Sequence, residues 1–422
     1  MPTAPCSLAS WNGAAGRLEE DGHRFGVILI DLDDFKTVND TLGHAAGDAL
    51  LVEVTGRVKK HARKSDVIAR LGGDEFAILV PTVEAREEIE GLAFRIQQDI
   101  ASIRRIDGAE IAVGASIGAA LAPDDAVDTD DLLKCADLAL YRVKQSSKGA
   151  FLFFEPEMDR QQRERRSLEM ELRNAVIDRE FELHYQPFLS VRTGRLRGFE
   201  ALLRWRNPRR GMVSPAEFIP IAEETGMLDE LGRWVLIEAC RQAAAWPQEL
   251  ALAVNVSPVQ FRKGELVETV DLALVRSGLV PQRLEIEITE SVLLVDSAAN
   301  LAILNRLRAR GVRIALDDSG TGYSSLSYLR QFPFSRLKID RSFVREIGKS
   351  AESLAIVRAI IGLGSSLGID TTAEGVETVS QLEMLRAEKC GELQGFLFSP
   401  PVARENVAEV IDAFLGDVAR VA

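Results

Sequence analysis

At 422 residues the chain is longer than one hydrophobic core usually serves, so two domains are the first expectation. Apolar residues make up 46% and charged residues 27%, an ordinary balance for a globular protein and one that excludes extended disorder. A formal net charge of −13 excludes a surface built to hold DNA or RNA polymers, which needs excess lysine and arginine, and turns attention to where the carboxylates sit.

The apolar runs, such as 27–30 and 314–316, are strand-sized, and the opening Met-Pro-Thr-Ala-Pro-Cys has neither the basic patch nor the apolar run of a secretory signal. A cytoplasmic protein without a membrane segment is expected. Cys6, Cys135, Cys240 and Cys390 form no C-x-x-C and the histidines no H-x-x-x-H pair, so no zinc site is expected and the thiols read as reduced and structural.

From residue 25 to 154 the pattern reads β-α-β-β-α-β-α-β, with strands over 26–31, 67–70, 76–80, 111–120 and 150–154 and helices over 45–60, 84–104 and 129–144. This is an α+β sandwich. Its first strand ends in Asp31-Leu32-Asp33, and Leu71-Gly72-Gly73-Asp74-Glu75-Phe76 makes a tight hairpin that the glycines permit. If those strands are neighbours, Asp31 and Asp74 can share Mg²⁺ carried by a nucleoside triphosphate, as phosphoryl and nucleotidyl transfer require.

Between 159 and 178, Leu168, Leu172 and Val176 recur every four residues while Arg163, Arg165, Arg166 and Glu171 fill the rest, which predicts a helix with a solvated charged face. The expected division is a first domain over 1–154, a helical linker over 155–167 and a second domain over 168–422.

Past residue 181 a unit recurs roughly every 20 to 55 residues: a short apolar run, a polar residue at its C-terminal end, then a helix. Gly198-Phe199 leads into Glu200, 252–254 into Asn255, 284–286 into Glu287, 312–316 into Asp317 and Asp318, Arg336-Leu337 into Lys338, and 369–373 into Glu374. Functional residues of a β/α barrel cluster at the C-terminal ends of its strands, so the fold class expected is α/β, with a TIM-like barrel following the α+β domain. Four or five carboxylates brought together raise one another's pKa unless cations neutralise them. Oxygen donors with one amide and no cysteine or histidine point to Mg²⁺ or Mn²⁺, and the adjacent Asp317 and Asp318 allow two ions, the arrangement of phosphodiester hydrolysis.

These segments resemble the EAL phosphodiesterases that linearise cyclic di-GMP. Glu200-Ala201-Leu202 stands within G-F-E-A-L-L-R-W, followed in order by V-N-V-S-P around Asn255, E-I-T-E-S from Glu287, D-D-S-G-T-G-Y-S-S from Asp317, K-I-D from Lys338, A-E-G-V-E-T around Glu374 and Q-G-F from Gln394. The resemblance implies that Glu200, Asn255, Glu287 and Asp317 hold one metal ion, and that Asp317, Asp318 and Glu374 place a second. It further implies that Lys338 orients or deprotonates the attacking water, Arg204 meets a substrate phosphate, and Gln186 and Gln394 line the groove. Glu290 and Glu377 would brace the loop after Asp318, to which Gly320 and Gly322 give backbone freedom. Two positions depart from the family pattern: Ser319 stands where phenylalanine is usual, and Gly391 where aspartate is frequent.

The first domain resembles the GGDEF diguanylate cyclases, whose palm-like, nucleotidyl-cyclase-like fold is thereby implied, through the Gly-Gly-Asp-Glu-Phe hairpin and D-L-D-D-F-K-x-x-N-D-x-L-G-H-A-A-G-D from Asp31 to Asp48. The resemblance implies metal binding by Asp31, the Leu32 carbonyl and Asp74, and guanine contacts by Asn39 and Asp48. Glu75 would assist deprotonation of the 3′-hydroxyl, and Lys36, Lys144 and Lys148 would meet the triphosphate of a Mg²⁺-bound GTP. Arg63 and Asp66 match an R-x-x-D inhibitory site for cyclic di-GMP. The usual D-x-L-T-G-L-x-N-R opening is replaced by Ser7-Leu8-Ala9-Ser10-Trp11-Asn12-Gly13, so the domain reads as truncated or remodelled at its start, and Lys148 replaces an arginine. With no sensory domain before it, the expectation is GTP binding with weak or absent cyclisation. Both families imply a homodimer. The rival reading is a catalytically inactive receptor for cyclic di-GMP and GTP that acts through protein contacts; a templated polymerase is disfavoured by the acidic surface.

Overall fold

The computed structural model describes residues 24–146, 148–262, 264–294, 297–319, 332 and 334–416. The chain divides into two compact units, Met1–Ser167 and Leu168–Ala422.

The first unit is built on β1 (Phe25–Asp33), every residue of which is buried. Its side chains alternate between two cores. Phe25, Val27 and Leu29 pack with Ala136 and Leu140, whereas Ile28, Ile30 and Leu32 pack with Leu50, Val54 and Ile96. Helices on both faces explain why the strand reads as an unbroken apolar run. The sheet order is β2-β3-β1-β4-β5, where β2 is Val67–Gly72, β3 Glu75–Val80, β4 Gly114–Ala122 and β5 Phe151–Phe153. Pairing is antiparallel except between β4 and β5. β1 and β3 are neighbours in a register that sets Asp31 opposite Glu75, so the strand end and the hairpin tip meet.

Two local readings change. The segment after β1 is a helix pair, α1 (Phe35–Leu42) and α2 (His44–His61), broken at Gly43 with φ 86°, where only the second helix is expected from periodicity. The strand expected over 111–120 begins at Gly114 and runs to Ala122. The residues before it turn back in a ribbon, Arg105–Ile106 against Ala109–Glu110, through Asp107 and Gly108 with φ 48° and 84°. Asp-Gly is a strong hairpin signal because both central residues need positive φ. Helices α3 (Arg86–Ala101) and α4 (Thr129–Ser146) complete the unit, and α5 (Pro156–Asp178) contains the residues expected to form a linker.

The second unit is a closed ring of strands. Their order is β6 (Phe181–Ser190), β7 (Leu196–Asn207), β8 (Ala251–Asn255), β9 (Leu284–Thr289), β10 (Arg313–Ser319), β11 (Arg336–Ile339), β12 (Asp370–Ala373) and β13 (Glu392–Gln394), which returns to β6. It is a TIM-like barrel with one inversion. β7 through β13 are parallel, and β6 is antiparallel to both neighbours. Outward apolar side chains such as Phe199, Leu252, Ile286 and Leu337 bury against the surrounding helices, which leaves the alternate positions facing the barrel axis.

At Gly118 in β4 an added Cβ would lie 2.2 Å from the Leu140 backbone nitrogen and 2.3 Å from the Ala136 carbonyl oxygen of α4. Backbone cannot yield as a side-chain tip can. Gly118→Ala is expected to destabilise the first unit by roughly 1–3 kcal/mol, read as a lower urea midpoint for that unit's transition.

Candidate functional site

The inward side chains of the barrel form two layers, each upper residue two positions along its strand from a lower one. The upper layer holds Gln186, Glu200, Asn255, Glu287, Asp317, Lys338, Glu374 and Gln394. These are residues that strand-end placement and motif matching single out, and the fold brings them to one mouth.

Lys338 is the hub. Its Nζ lies 2.6 Å from Glu287 Oε2, 2.6 Å from Glu374 Oε1, 3.4 Å from Asp317 Oδ1 and 3.5 Å from Glu200 Oε2, and the residue is 2% exposed. The amides hold Glu200 from the other side. Asn255 Nδ2 donates to Glu200 Oε1 at 2.6 Å, while Gln394 Nε2 donates to Glu200 Oε2 at 2.5 Å and to Gln186 Oε1 at 3.1 Å.

The charges do not balance, since one ammonium faces four carboxylates. Burial drives the Glu287 carboxyl well above the usual range, with Glu200, Asp317 and Glu374 adding to the rise against the pull of Lys338. Burial likewise pushes Glu374 up to about 8, reinforced by Asp317 and Glu200. Glu200 goes the other way: burial opposes its charge, but Lys338, Gln394 and Asn255 outweigh burial and hold it below the ordinary value. Lys338 also loses solvation, yet Asp317, Glu200, Glu287 and Glu374 keep it protonated well above the ordinary lysine value.

Among the described residues no three histidine, cysteine or acidic side chains are gathered as a ready metal shell; the carboxylates gather on Lys338 instead. Donor chemistry and charge nevertheless fit a hard divalent cation. All the donors are oxygens, and the excess negative charge is what such an ion neutralises. The lower layer of the same barrel shows the contrast, because there Arg336 meets two glutamates, Glu285 and Glu392, with Arg313 and Arg197 at their outer edges.

Arg204, half-buried four residues beyond Glu200 on β7, donates from Nη1 to the Leu203 carbonyl at 2.9 Å. Burial lowers its pKa, and Glu200 is near enough to oppose that shift. Glu290 precedes the short helix Ser291–Leu294, and Glu377 precedes the helix Val379–Ala387. Gly320, Gly322 and the side chain of Asp318 lie outside the described residues, so the bracing of that loop is not seen. Ser319 is buried at the end of β10, where pairing with β11 shifts between Leu316 and Ser319, and its hydroxyl reaches the Leu316 carbonyl at 3.4 Å. At Gly391 an added Cβ would lie 3.0 Å from the Thr371 carbonyl oxygen, a close approach that suits the absent side chain.

In the first unit, Lys144 Nζ lies 2.6 Å from Asp31 Oδ2, so this lysine meets the carboxylate expected to bind metal. Burial raises the Asp31 pKa, with Lys144 opposing and Asp74 and Asp33 adding. Burial and then Asp31 raise that of Glu75, which makes it a stronger base. Leu32 is buried opposite Ala115, and Asp74 sits half-buried at the hairpin tip. Asn39 of α1 rests against Gly47 of α2, where any Cβ would fall 2.0 Å from Asn39 Oδ1, and Asp48, the next residue of α2, is exposed. Lys36 is exposed on the first turn of α1. Lys148 Nζ pairs with Asp34 Oδ1 at 2.8 Å. Arg63 and Asp66 close a turn, with the Arg63 amide donating to Asp66 Oδ2 at 2.7 Å and the guanidinium paired with Glu88 at 2.7 Å.

Sequence reasoning passes over several supporting residues. Arg70 donates from Nε and Nη2 to the Gly73 carbonyl at 2.9 and 2.6 Å and braces the hairpin tip. Ser116 Oγ donates to buried Asp33 at 2.7 Å and accepts the Gly149 amide at 3.2 Å, tying the residue after Lys148 to β1. The lower barrel layer has a signal that is plain once sought: a polar residue two positions before Glu287, Lys338, Glu374 and Gln394.

Comparison with known proteins decides the family. The EAL domain family matches residues 169–401, and the diguanylate cyclase GGDEF domain family matches residues 11–150. The chain belongs to the GGDEF–EAL family. Among curated relatives of this GGDEF–EAL chain, the bifunctional diguanylate cyclase/cyclic di-GMP phosphodiesterase MucR of Pseudomonas aeruginosa is 44% identical over 92% of the chain and 57% of its own length. The cyclic di-GMP phosphodiesterase NbdA of the same organism is 40% identical over 94% of the chain and 51% of its own length. The chain thus spans about half the length of these relatives. A solved structure of the Pseudomonas aeruginosa MucR phosphodiesterase in complex with cyclic di-GMP is 45% identical, with a TM-score of 0.56, over 57% of this chain and 99% of that one. No described helix is long and apolar enough to cross a membrane.

The raised Glu374 carboxyl has a measurable consequence. It keeps its proton in the folded, metal-free chain where the unfolded chain has lost it, so its contribution to stability is complete below the ordinary carboxyl value of 4.5 and is lost as pH rises through about 8. In EDTA, Glu374→Gln is expected to gain stability over wild type progressively from about pH 5 to about pH 9, by urea midpoint. A difference that does not vary with pH would show that the carboxylate is not confined with the other three.

Proposed function

We propose that the barrel hydrolyses cyclic di-GMP to linear pGpG in a divalent-cation-dependent reaction. The observation that carries this reading is the upper layer, where Glu200, Glu287, Asp317 and Glu374 share one buried ammonium and retain excess negative charge. A chain of this family with that donor set suits a phosphodiester anion bridged to carboxylates by Mg²⁺ or Mn²⁺. Glu200, Asn255, Glu287 and Asp317 would hold one ion, with Asp317, Asp318 and Glu374 placing a second. Bound there, the ions supply an activated water and charge stabilisation at the phosphate.

The chain's own residues do the rest. Asn255 and Gln394 fix the Glu200 carboxylate in one orientation, and Gln394 in turn holds Gln186. Lys338 is a firmly held cation among carboxylates, which favours its orienting the attacking water and countering charge built up on the phosphate over its removing a proton. Arg204, near enough to Glu200 to feel its charge, would meet a phosphate oxygen.

In the first domain we propose Mg²⁺-GTP binding at the edge formed by Asp31, Leu32 and Asp74, with Asn39 and Asp48 on guanine and Lys36, Lys144 and Lys148 on the phosphates. Lys144 would have to exchange Asp31 for the triphosphate. Cyclisation needs two GTP-loaded copies face to face, so a regulatory role for bound GTP is preferred over strong synthesis.

The deciding experiment incubates the purified chain and Mg²⁺ or Mn²⁺ with cyclic di-GMP, with GTP, or with both, and separates the products by chromatography. Appearance of pGpG that EDTA abolishes is expected, and a GTP-dependent rate assigns the first domain its regulatory part. Glu200→Ala is expected to reduce hydrolysis to background with circular dichroism unchanged; an unaltered rate would refute the ligand assignment. Asp74→Ala is expected to change only the response to GTP. Binding of cyclic di-GMP without turnover would replace the hydrolase with the receptor reading.

A further inference from the structure

Beneath the upper layer lies a second set of inward positions, two residues back on each of β7 to β13 and two residues on along the inverted β6. They are Phe188, Gly198, Ala253, Glu285, Ala315, Arg336, Thr372 and Glu392. Three are glycine or alanine, and the space they leave is taken by Phe188 and Arg336. At Gly198 any Cβ would lie 2.6 Å from Phe188 Cζ and 2.3 Å from the Ala251 carbonyl oxygen. The Arg336 guanidinium carbon sits 5.2 Å from the Phe188 ring centre. Arg336 Nε donates to Glu285 Oε1 at 2.6 Å and Nη1 to Thr372 Oγ1 at 2.8 Å, and Nη1 also pairs with Glu392. Arg336 is 2% exposed, Glu285 1%, Thr372 2% and Glu392 5%. At the outer edge, Arg313 bridges Glu285 and Asp370 at 3.3 and 3.1 Å, and Arg197 reaches Glu392 at 3.3 Å.

We propose that this ion-paired floor is a positioning device for the mouth above it, with Arg336 as its central positioning residue. The inference deepens the hydrolase reading and rests on it. One planar guanidinium grips side chains on β9, β12 and β13 from its own strand β11. Those strands carry Glu287, Glu374, Gln394 and Lys338 one step further along. A pleated strand has little freedom over two residues, so the spacing of the floor sets the spacing of the four groups above. The floor also has to be polar and stiff. The like-charged carboxylates above repel one another, and an apolar floor of looser packing would let them spread. The guanidinium fork meets partners in several directions at once, which an ammonium on a flexible stem cannot reproduce.

Removing Arg336 alone strands two buried glutamates, and such a variant need not fold. The test therefore neutralises the network together, as Arg336→Met/Glu285→Gln/Glu392→Gln in the full chain, since replacing a whole buried ion network is tolerated where breaking one partner is not. Three readouts are taken: thermal unfolding, kcat and KM for cyclic di-GMP, and the affinity for Mn²⁺ alone by titration calorimetry. The triple variant is expected to stay folded while kcat and Mn²⁺ affinity each fall about 10- to 100-fold with KM little changed, the scale of losing groups that orient metal-binding side chains. Arg336→Lys is expected to give an intermediate loss. A folded triple variant with wild-type kcat and wild-type Mn²⁺ affinity would overturn the inference and leave the floor a packing element only. Wild type that binds Mn²⁺ but cleaves nothing would sink the hydrolase reading alone, with the Mn²⁺ titration still deciding the floor's role; wild type that binds no Mn²⁺ would overturn both.

Discussion

The barrel depends on where it puts one buried ammonium. Lys338 has four carboxylates from four other strands within 3.5 Å, and a charge of either sign left alone in that interior would be untenable. The lysine makes the acids tolerable and the acids keep the lysine charged. Its single charge is too little for four partners, however, and the surplus appears as carboxyls that hold protons far above their ordinary range. That surplus is what the proposed divalent cation would neutralise. The floor beneath, with its glutamates matched by arginines, shows that the same ring of strands can bury charge without leaving a surplus.

The two halves gather their acidic residues differently. The barrel encloses its acids at the centre of a ring, where burial amplifies each charge and little solvent screens it. The first domain sets Asp31, Asp74 and Glu75 where a strand end meets a hairpin tip, at the rim of a sheet. There the perturbations are smaller and Lys144 stands in as counter-charge. Its supporting parts are local: Arg70 closing the Gly-Gly turn, and Ser116 linking Asp33 to Gly149. An edge site is easily reached by a long ligand such as a triphosphate, whereas a ring interior restricts approach to one mouth.

Much of this was legible from the chain alone. The α+β then barrel order follows from the change in hydrophobic rhythm after residue 181. The upper-layer residues follow from their place at strand ends, which the period-two geometry of strands makes meaningful without coordinates. What was misread was local and had physical causes. Gly43 splits one expected helix from an unexpected one because it takes positive φ, and Asp107-Gly108 diverts the residues before β4 into a hairpin. Periodicity counts apolar positions and is blind to a single backbone reversal. The inversion of β6 was also beyond it, since an apolar run reads the same in either direction.

The amino-acid sequence by itself determined that this is a two-domain GGDEF–EAL chain with polar, mostly acidic residues at its strand ends, because residue type and order along strands carry that information. Tertiary structure alone decided what each charge faces. Lys338 could have reached solvent or a single acid; closing the ring gave it four. Arg336, Glu285 and Glu392 are ordinary polar residues in the chain, separated by 51 and 56 positions, and become one buried network only when β9, β11 and β13 bend around a common axis. Electrostatics falls off with distance through space, and distance through space is what the order of residues does not contain.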